Sequence, residues 1–270
     1  MLKFDCYFST DVGKVRKNNE DNFYLNRNYK RVPEDLTYAK KDMIYSGGVF
    51  AVCDGMGGEE HGEKASLLAV ETLKEFEEND VNKTIDEYIN MANKKICNLI
   101  TENNGARSGT TIALIYIKDG YANCCNIGDS RIYLIRNKKI RQLSEDHTRC
   151  MQMVKMGILT KKQAMHHRDR HILTQYIGIF PDELIIQAYK SKPIKIQSND
   201  IFLICSDGLT DMLSDDEIVC VFNTDMPAKV YADSLIKAAL EKGGKDNVTV
   251  GVIKNTGKKE GFFERIWRKK

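Results

Sequence analysis

The sequence predicts an α+β fold in which antiparallel sheets carry amphipathic helices on their outer faces. Three observations support this. Strand-like runs rich in β-branched and aromatic residues come in adjacent groups. The strongest helical periodicities come as a pair, so a regular βαβα alternation is absent. Gly120 stands in a short turn between two of the runs, which implies a hairpin and antiparallel pairing.

The strand-like runs are 3–8, 22–25, 48–53, 110–117, 121–126, 131–135, 184–189, 201–205 and 248–253. Between the third and fourth, Ala65, Leu68, Ala69, Thr72, Leu73 and Phe76 fall on one helical face. Ile85, Tyr88, Ile89, Ala92, Ile96 and Leu99 do the same on a second helix, whose start carries the capping-box pair Thr84 and Glu87. Ser214 and Glu217 form a second such pair before a short helix, and a further helix is expected near 228–240. The polar stretch 26–42 reads as a surface loop. Residues 147–176, helical in part, read as a flap.

The chain has 270 residues, 42% hydrophobic and 29% charged, with no internal repeat and no Pro/Gly/Ser-rich linker. That predicts one domain over 1–254 and a basic, flexible tail over 255–270. A net charge of +3 does not predict bulk nucleic-acid binding, and no nucleic-acid partner is expected. The N-terminal residues lack the apolar core of a signal peptide, and no run is long enough to span a bilayer. Eight cysteines without any Cys-x-x-Cys, among them Cys53, Cys97, Cys205 and Cys220 in apolar runs, read as buried thiols. The expectation is a cytoplasmic monomer.

Acidic residues recur at the ends of the strand-like runs. Asp54 follows 49–53 and precedes Gly55, and Asp207 follows 201–206 and precedes Gly208. Asp129 lies between Gly128 and Ser130, Asp246 precedes the last run, and Glu20 and Asp21 precede 22–25. A strand end fixes a carboxylate at the sheet rim. Each such residue alone is more often a turn former. Several on one rim would repel one another, and Mg²⁺ or Mn²⁺, which prefer oxygen ligands, would relieve that repulsion.

Six short motifs in order then resemble a known family. They are Gly13 to Asp21 with Arg16, Asn19 and Glu20 inside it; Asp54-Gly55-Met56-Gly57-Gly58; Ser108-Gly109-Thr110-Thr111; Gly128-Asp129-Ser130-Arg131; Ser206-Asp207-Gly208; and Asp246-Asn247. Together the sequence resembles the protein phosphatase 2C-like, metal-dependent phosphatases, bacterial branch. The resemblance implies a four-layer α-β-β-α sandwich of two antiparallel sheets flanked by helices. It implies hydrolysis of phosphoserine and phosphothreonine in proteins by metal-activated water, reversing a bacterial Ser/Thr kinase. By that resemblance Asp54 bridges two Mn²⁺ or Mg²⁺ ions, the Gly55 carbonyl binds one of them, and Asp207 and Asp246 complete the other. Glu20 and Asp21 bind metal directly or through water, Asp129 holds a third, weaker ion, and Arg16 clamps the phosphate. Arg16 and Asp54 are the expected catalytic residues. Met56 replaces the His of eukaryotic members, leaves the general acid unidentified, and is expected to pack beneath the loop.

Other patterns compete. Cys125 to Arg131 fits the Cys-x-x-Gly-x-x-Arg loop of cysteine-dependent phosphatases, although Asp129 within it would oppose a thiolate and the following residues alternate as a strand. His167-Arg168-Asp169 is similar to a kinase catalytic loop but lacks its downstream Asn. A phosphoprotein-binding module without hydrolysis would be expected to lose a carboxylate, and Asp54, Asp207 and Asp246 are all present. The segment 258–270 sets Phe262, Phe263, Ile266 and Trp267 among Lys and Arg, so any membrane contact is expected there.

Overall fold

The most apolar runs of the chain become inner strands of two sheets, as burial on both faces requires. The computed structural model of the chain describes residues 2–57, 61–79 and 85–257. In chain order its elements are β1 (Lys3–Asp11), β2 (Asn22–Leu25), β3 (Thr37–Tyr45), β4 (Gly48–Cys53), β5 (Gly55–Met56), α1 (Gly62–Asn79), α2 (Ile85–Glu102), β6 (Gly109–Thr110), β7 (Ile112–Lys118), β8 (Tyr121–Ile127), β9 (Arg131–Arg136) and β10 (Lys139–Gln142). There follow α3 (Arg149–Lys155), α4 (Lys161–Ala164), β11 (Tyr189–Lys190), β12 (Ile194–Lys195), β13 (Ile201–Cys205), α5 (Asp207–Thr210), α6 (Asp215–Val221), α7 (Ala228–Glu241) and β14 (Val248–Asn255).

One sheet has the order β10-β9-β13-β14-β1-β3 and the other β11-β8-β7-β4-β2, with β12 also on β8. Their pairings are antiparallel. Three apolar clusters make the four layers. Phe8, Phe23, Phe50, Ile115, Phe202 and Ile253 fill the space between the sheets. Tyr24, Leu73, Tyr88, Ile96 and Leu114 join the second sheet to α1 and α2. Leu203, Leu209, Tyr231, Leu235 and Val252 join the first sheet to α5, α6 and α7.

The expected helical faces are the ones buried, with Ile100 rather than half-buried Leu99 closing that of α2. Ser214 and Glu217 cap α6 reciprocally. Thr160 and Gln163 cap α4 in the same way, a box not expected. The Thr84 cap and the segment 258–270 lie outside the described residues.

Four expectations are corrected. The stretch 26–42 is not all loop, because Thr37–Tyr45 forms β3 along β1. As an edge strand its exposed face tolerates lysine and aspartate, which hid its periodicity. The run 110–117 breaks at Thr111, so that Gly109–Thr110 pairs with Gly55–Met56 while the rest enters the large sheet. The run 184–189 is mostly irregular: Ile185 is exposed, Ile186 and Ala188 pack on the helix side of the second sheet, and only Tyr189–Lys190 pairs. Cys220 is exposed on α6, whereas the other seven cysteines are buried and free.

Phe8 stacks on Phe50 with ring centroids 6.3 Å apart and tilts against Phe23 at 5.5 Å, joining the sheets at their centre. Phe8→Ala is expected to cost about 3–5 kcal/mol in chemical denaturation. A loss below about 1 kcal/mol would show that this contact does not hold the sheets together.

Candidate active site

Antiparallel register decides which strand ends meet. Thr10 pairs with Thr249, Cys205 with Val250, Asn22 with Cys53 and Ile112 with Ile127. The ends that precede Asp54, Asp129 and Asp207, and the starts that follow Asp21 and Asp246, therefore face one pole of the sandwich. There Arg16, Glu20, Asp54, Gly55, Asp129, Asp207 and Asp246 line a cleft of about 810 Å³. Asp21 does not reach its wall but lies fully buried.

Each acid is held by short contacts to a neighbouring loop. The Asp54 N–H donates to Thr111 Oγ1 at 3.1 Å, and its carbonyl accepts from Thr111 N and Thr110 Oγ1, both at 2.9 Å. The Thr111 hydroxyl lies 2.7 Å from that of Ser130, next to Asp129. A Cβ on Gly55 would stand 2.2 Å from the Gly62 carbonyl oxygen, so only glycine lets the loop after Asp54 turn here. A Cβ on Gly208 would come within 1.9 Å of the Asn247 carbonyl oxygen, which sets Asp207 close beside Asp246. Asn247 accepts from Glu20 N at 2.8 Å and donates to the carbonyls of Val12 and Asn18 at 2.9 Å, so it carries the Arg16 loop. Asp21 Oδ2 accepts from Ser206 and Thr249 hydroxyls at 2.7 and 2.6 Å, while its Oδ1 has no partner among the described residues.

The electrostatics are those of crowded carboxylates. Burial, and then Asp21, Asp207, Asp129 and Asp246, push Asp54 well above the usual carboxylate range. Asp129 is raised too, by burial and then by Asp207 and Asp146. Burial and Glu63 push Glu20 up to about 7, against the lowering by Arg16. Burial pushes Asp21 up to about 7 although two hydroxyls donate to it. Arg16 is in direct contact with the cluster, its guanidinium 2.6 Å from Asp246 and 54% exposed. This all-oxygen donor set, short of positive charge and with a buried, undonated Asp21 oxygen beneath it, suits hard divalent cations.

The cleft also holds residues that sequence reasoning did not single out. Arg107, Arg170, His171, Leu173, Tyr176, Asp211 and Lys245 line it, four of them from the segment read as a flap. His171 Nδ1 is 3.7 Å from Asp207 and its Nε2 3.4 Å from Asp211, and Asp207 raises the imidazole pKa above its ordinary value. An isolated His or Arg in a polar run carries no period or neighbour that marks it. Asp211, one turn beyond Asp207 on a short helix, was legible in principle. Met56, expected beneath the loop, is half-buried in the cleft wall, on β5 where it pairs with Gly109.

The cysteine loop is not a site. Cys125 is buried among residues that face α1 and α2, and burial pushes its thiol up to about 12. Arg131 is held by Asp146, at 2.6 Å from NH2 and 3.0 Å from Nε, so it is not available to a phosphate there. Asp169 of the His-Arg-Asp run pairs with Arg149 and Arg168.

The sequence model described as protein phosphatase 2C matches residues 39–242. Protein phosphatase PhpP of Streptococcus pneumoniae is 34% identical over 257 residues, 90% of this chain and 94% of that protein. Serine/threonine phosphatase stp of Listeria monocytogenes is 30% identical over 258 residues, 91% of this chain and 94% of that one. Among solved structures, the Mycobacterium tuberculosis serine/threonine phosphatase PstP/Ppp superposes with a TM-score of 0.77 at 27% identity, covering 94% of this chain and 99% of its own. The catalytic domain of PstP in complex with two manganese ions gives 0.76 at 26% identity, over 95% and 100%.

The raised carboxyls fix a pH dependence. Between about pH 4, where such groups titrate in an unfolded chain, and about 7, where Glu20 and Asp21 titrate folded, the folded state binds more protons. Chelator-treated protein should therefore lose stability as pH rises through that window. Melting temperatures along a pH series check this, and Asp54→Asn should flatten the slope. Stability rising with pH in both proteins would contradict it.

Proposed function

The chain belongs to the protein phosphatase 2C family, and on that premise we propose how its cleft divides the work. It is a metal-dependent protein serine/threonine phosphatase that uses Mn²⁺ or Mg²⁺, and its substrates are phosphorylated proteins. The convergence of Asp54, Asp207 and Asp246 in one cleft beside Arg16 carries the residue assignment.

Asp54 with the Gly55 carbonyl, Asp207 and Asp246 would hold two ions. Glu20 and the buried Asp21 would reach them directly or through water, and Asp129 beside Asp207 would hold a third. When bound, the ions supply a nucleophilic water at neutral pH and offset charge on the phosphoryl oxygens. Arg16 receives the phosphate. Its pair with Asp246 is half in solvent, and such a pair is worth little, so the guanidinium can exchange a carboxylate for a phosphate at small cost. The planar fork then orients the phosphoryl group by two parallel hydrogen bonds. Arg107, Arg170 and Lys245 add positive field along the wall and draw the anionic substrate in. With Cys125 buried and its thiol protonated, hydrolysis proceeds directly, without a covalent phosphocysteine.

The unit that does this is read as residues 1–254 acting as a monomer, since each group named belongs to one chain. Its physiological role is read as reversal of a Ser/Thr kinase in the cytoplasm. The names of the relatives support a signalling phosphatase, and among the described residues no helix is long and apolar enough to cross a membrane.

Hydrolysis of a phosphothreonine peptide tests these roles. With Mn²⁺ the chain should turn over, and chelator should abolish turnover. Asp54→Asn and Asp207→Asn should each lower kcat at least ~100-fold, while Cys125→Ser should stay near wild type. Arg16→Lys keeps the charge but loses the fork, so it should raise KM by about tenfold. Full activity in Asp207→Asn, or loss of it in Cys125→Ser, would overturn the assignment.

A further inference from the structure

The pole of the sandwich opposite the cleft is built differently from the catalytic end. The chain crosses it in tight turns: Ser46 before β4, Asp119-Gly120 between β7 and β8, and Asn137-Lys138 between β9 and β10, all with positive φ. The two-residue turns at 119–120 and 137–138 match strand twist and project little. Lys3, Lys118, Lys138, Lys139 and Lys195 stand at these strand ends, with Asp119 as the acid in the same turns. Lys118, Lys138, Lys139 and Lys195 are exposed and Lys3 is half-buried. Lys3, Lys138, Lys139 and Lys195 have no carboxylate partner among the described residues. Of the acids nearby, Asp200 engages Arg136, Asp225 engages Lys254, Asp86 engages Lys190 and Glu77 engages the Tyr24 hydroxyl. Two tyrosines stand on the rim, Tyr45 at 58% and Tyr121 at 43% exposure, and Lys3 lies over the Tyr45 ring.

The chain also leaves the described structure at this pole. Thr256 N donates to the Lys3 carbonyl at 2.7 Å, and Gly257 follows. The next thirteen residues contain Lys258, Lys259, Arg265, Arg268, Lys269 and Lys270 against Glu260 and Glu264, six cations less two anions, or +4. The whole chain carries +3, so the other 257 residues together carry −1. Positive charge is thus concentrated in the sequence that continues from this pole, with Phe262, Phe263, Ile266 and Trp267 among the cations.

We propose that this pole is a docking face for an anionic phospholipid bilayer. Exposed lysines gathered at strand ends gain from the negative surface potential of such a bilayer. Tyrosine and tryptophan partition to the headgroup region, and the apolar side chains after Gly257 supply the second signal that stable attachment needs. The orientation follows from the fold. β14 runs eight residues from the cleft to this pole, roughly 25 Å at about 3.3 Å per residue. Docked this way, the enzyme holds its cleft away from the lipid, open to phosphorylated proteins near the membrane.

Co-sedimentation of the full chain with vesicles tests the proposal independently of catalysis. Phosphatidylglycerol vesicles should bind it at about 0.1 M salt, phosphatidylcholine vesicles should not, and salt at several times that level should release it. Each surface lysine is worth about fivefold in affinity, so Lys138→Gln, Lys139→Gln and Lys195→Gln combined should weaken binding about 100-fold. The same variant should hydrolyse a soluble phosphothreonine peptide at the wild-type rate, which shows that it is folded. Trp267→Ala with Phe263→Ala should weaken binding without changing its salt dependence. Equal or absent sedimentation with the two lipids overturns the proposal. So does wild-type binding by the triple-lysine variant, which would leave attachment to residues 258–270 alone.

Discussion

The carboxylates of Asp54, Asp129, Asp207 and Asp246 stand at strand ends drawn from both sheets, and they meet only because the two sheets pack in one register. Burial, and then mutual repulsion, raise Asp54 and Asp129 well above their ordinary range. The energy that holds them there comes from elsewhere: the aromatic contacts between the sheets and the helix layers that seal both outer faces. A one-residue slip of β13 against β14 would turn the side chains of that strand to its other face and dissolve the cluster. Divalent cations relieve the same repulsion, so the need for metal and the cost of assembling the site are two views of one interaction.

The loops around the acids extend this logic. Asn247 links the Arg16 loop and Glu20 to the start of β14, and Thr111 with Ser130 links the Asp54 and Asp129 turns. Such links keep each oxygen in place when the cluster is charged, which is what preorganisation requires. Arg16 is the exception, exposed and on a salt bridge that solvent weakens, which suits the proposed role of exchanging a carboxylate for a phosphate. At the other pole the same strands end in turns that bear exposed lysines, so the carboxylates gather at one end of the sandwich and these lysines stand at the other.

Much of this was legible in the sequence because its signals are local. Apolar runs ending in Asp-Gly mark Asp54 and Asp207, and helical periodicity marks α1 and α2. What was not legible depends on partners distant in the chain. β3 has lysines and Asp42 on a strand that is an edge, and nothing local says that β1 lies beside it. Asp21 and Glu20 are adjacent in sequence, yet β2 turns one beneath the cleft and one into it. Cys125 fits a catalytic pattern in one dimension, but strand alternation points it into the helix layer. His171 and Arg170 reach the cleft through the path of an irregular segment, which no periodicity describes.

We propose that uncompensated carboxylates, brought together by the fold, create the metal site. Calorimetric titration of Mn²⁺ into chelator-stripped protein near pH 6.5, repeated in buffers of different ionisation enthalpy, tests it most directly. With Asp54 and Asp129 raised, and Glu20 and Asp21 pushed up to about 7, binding should displace protons. Heats should then differ between buffers in proportion to their ionisation enthalpies. Binding with the same heat in every buffer, or no binding at all, would contradict the account.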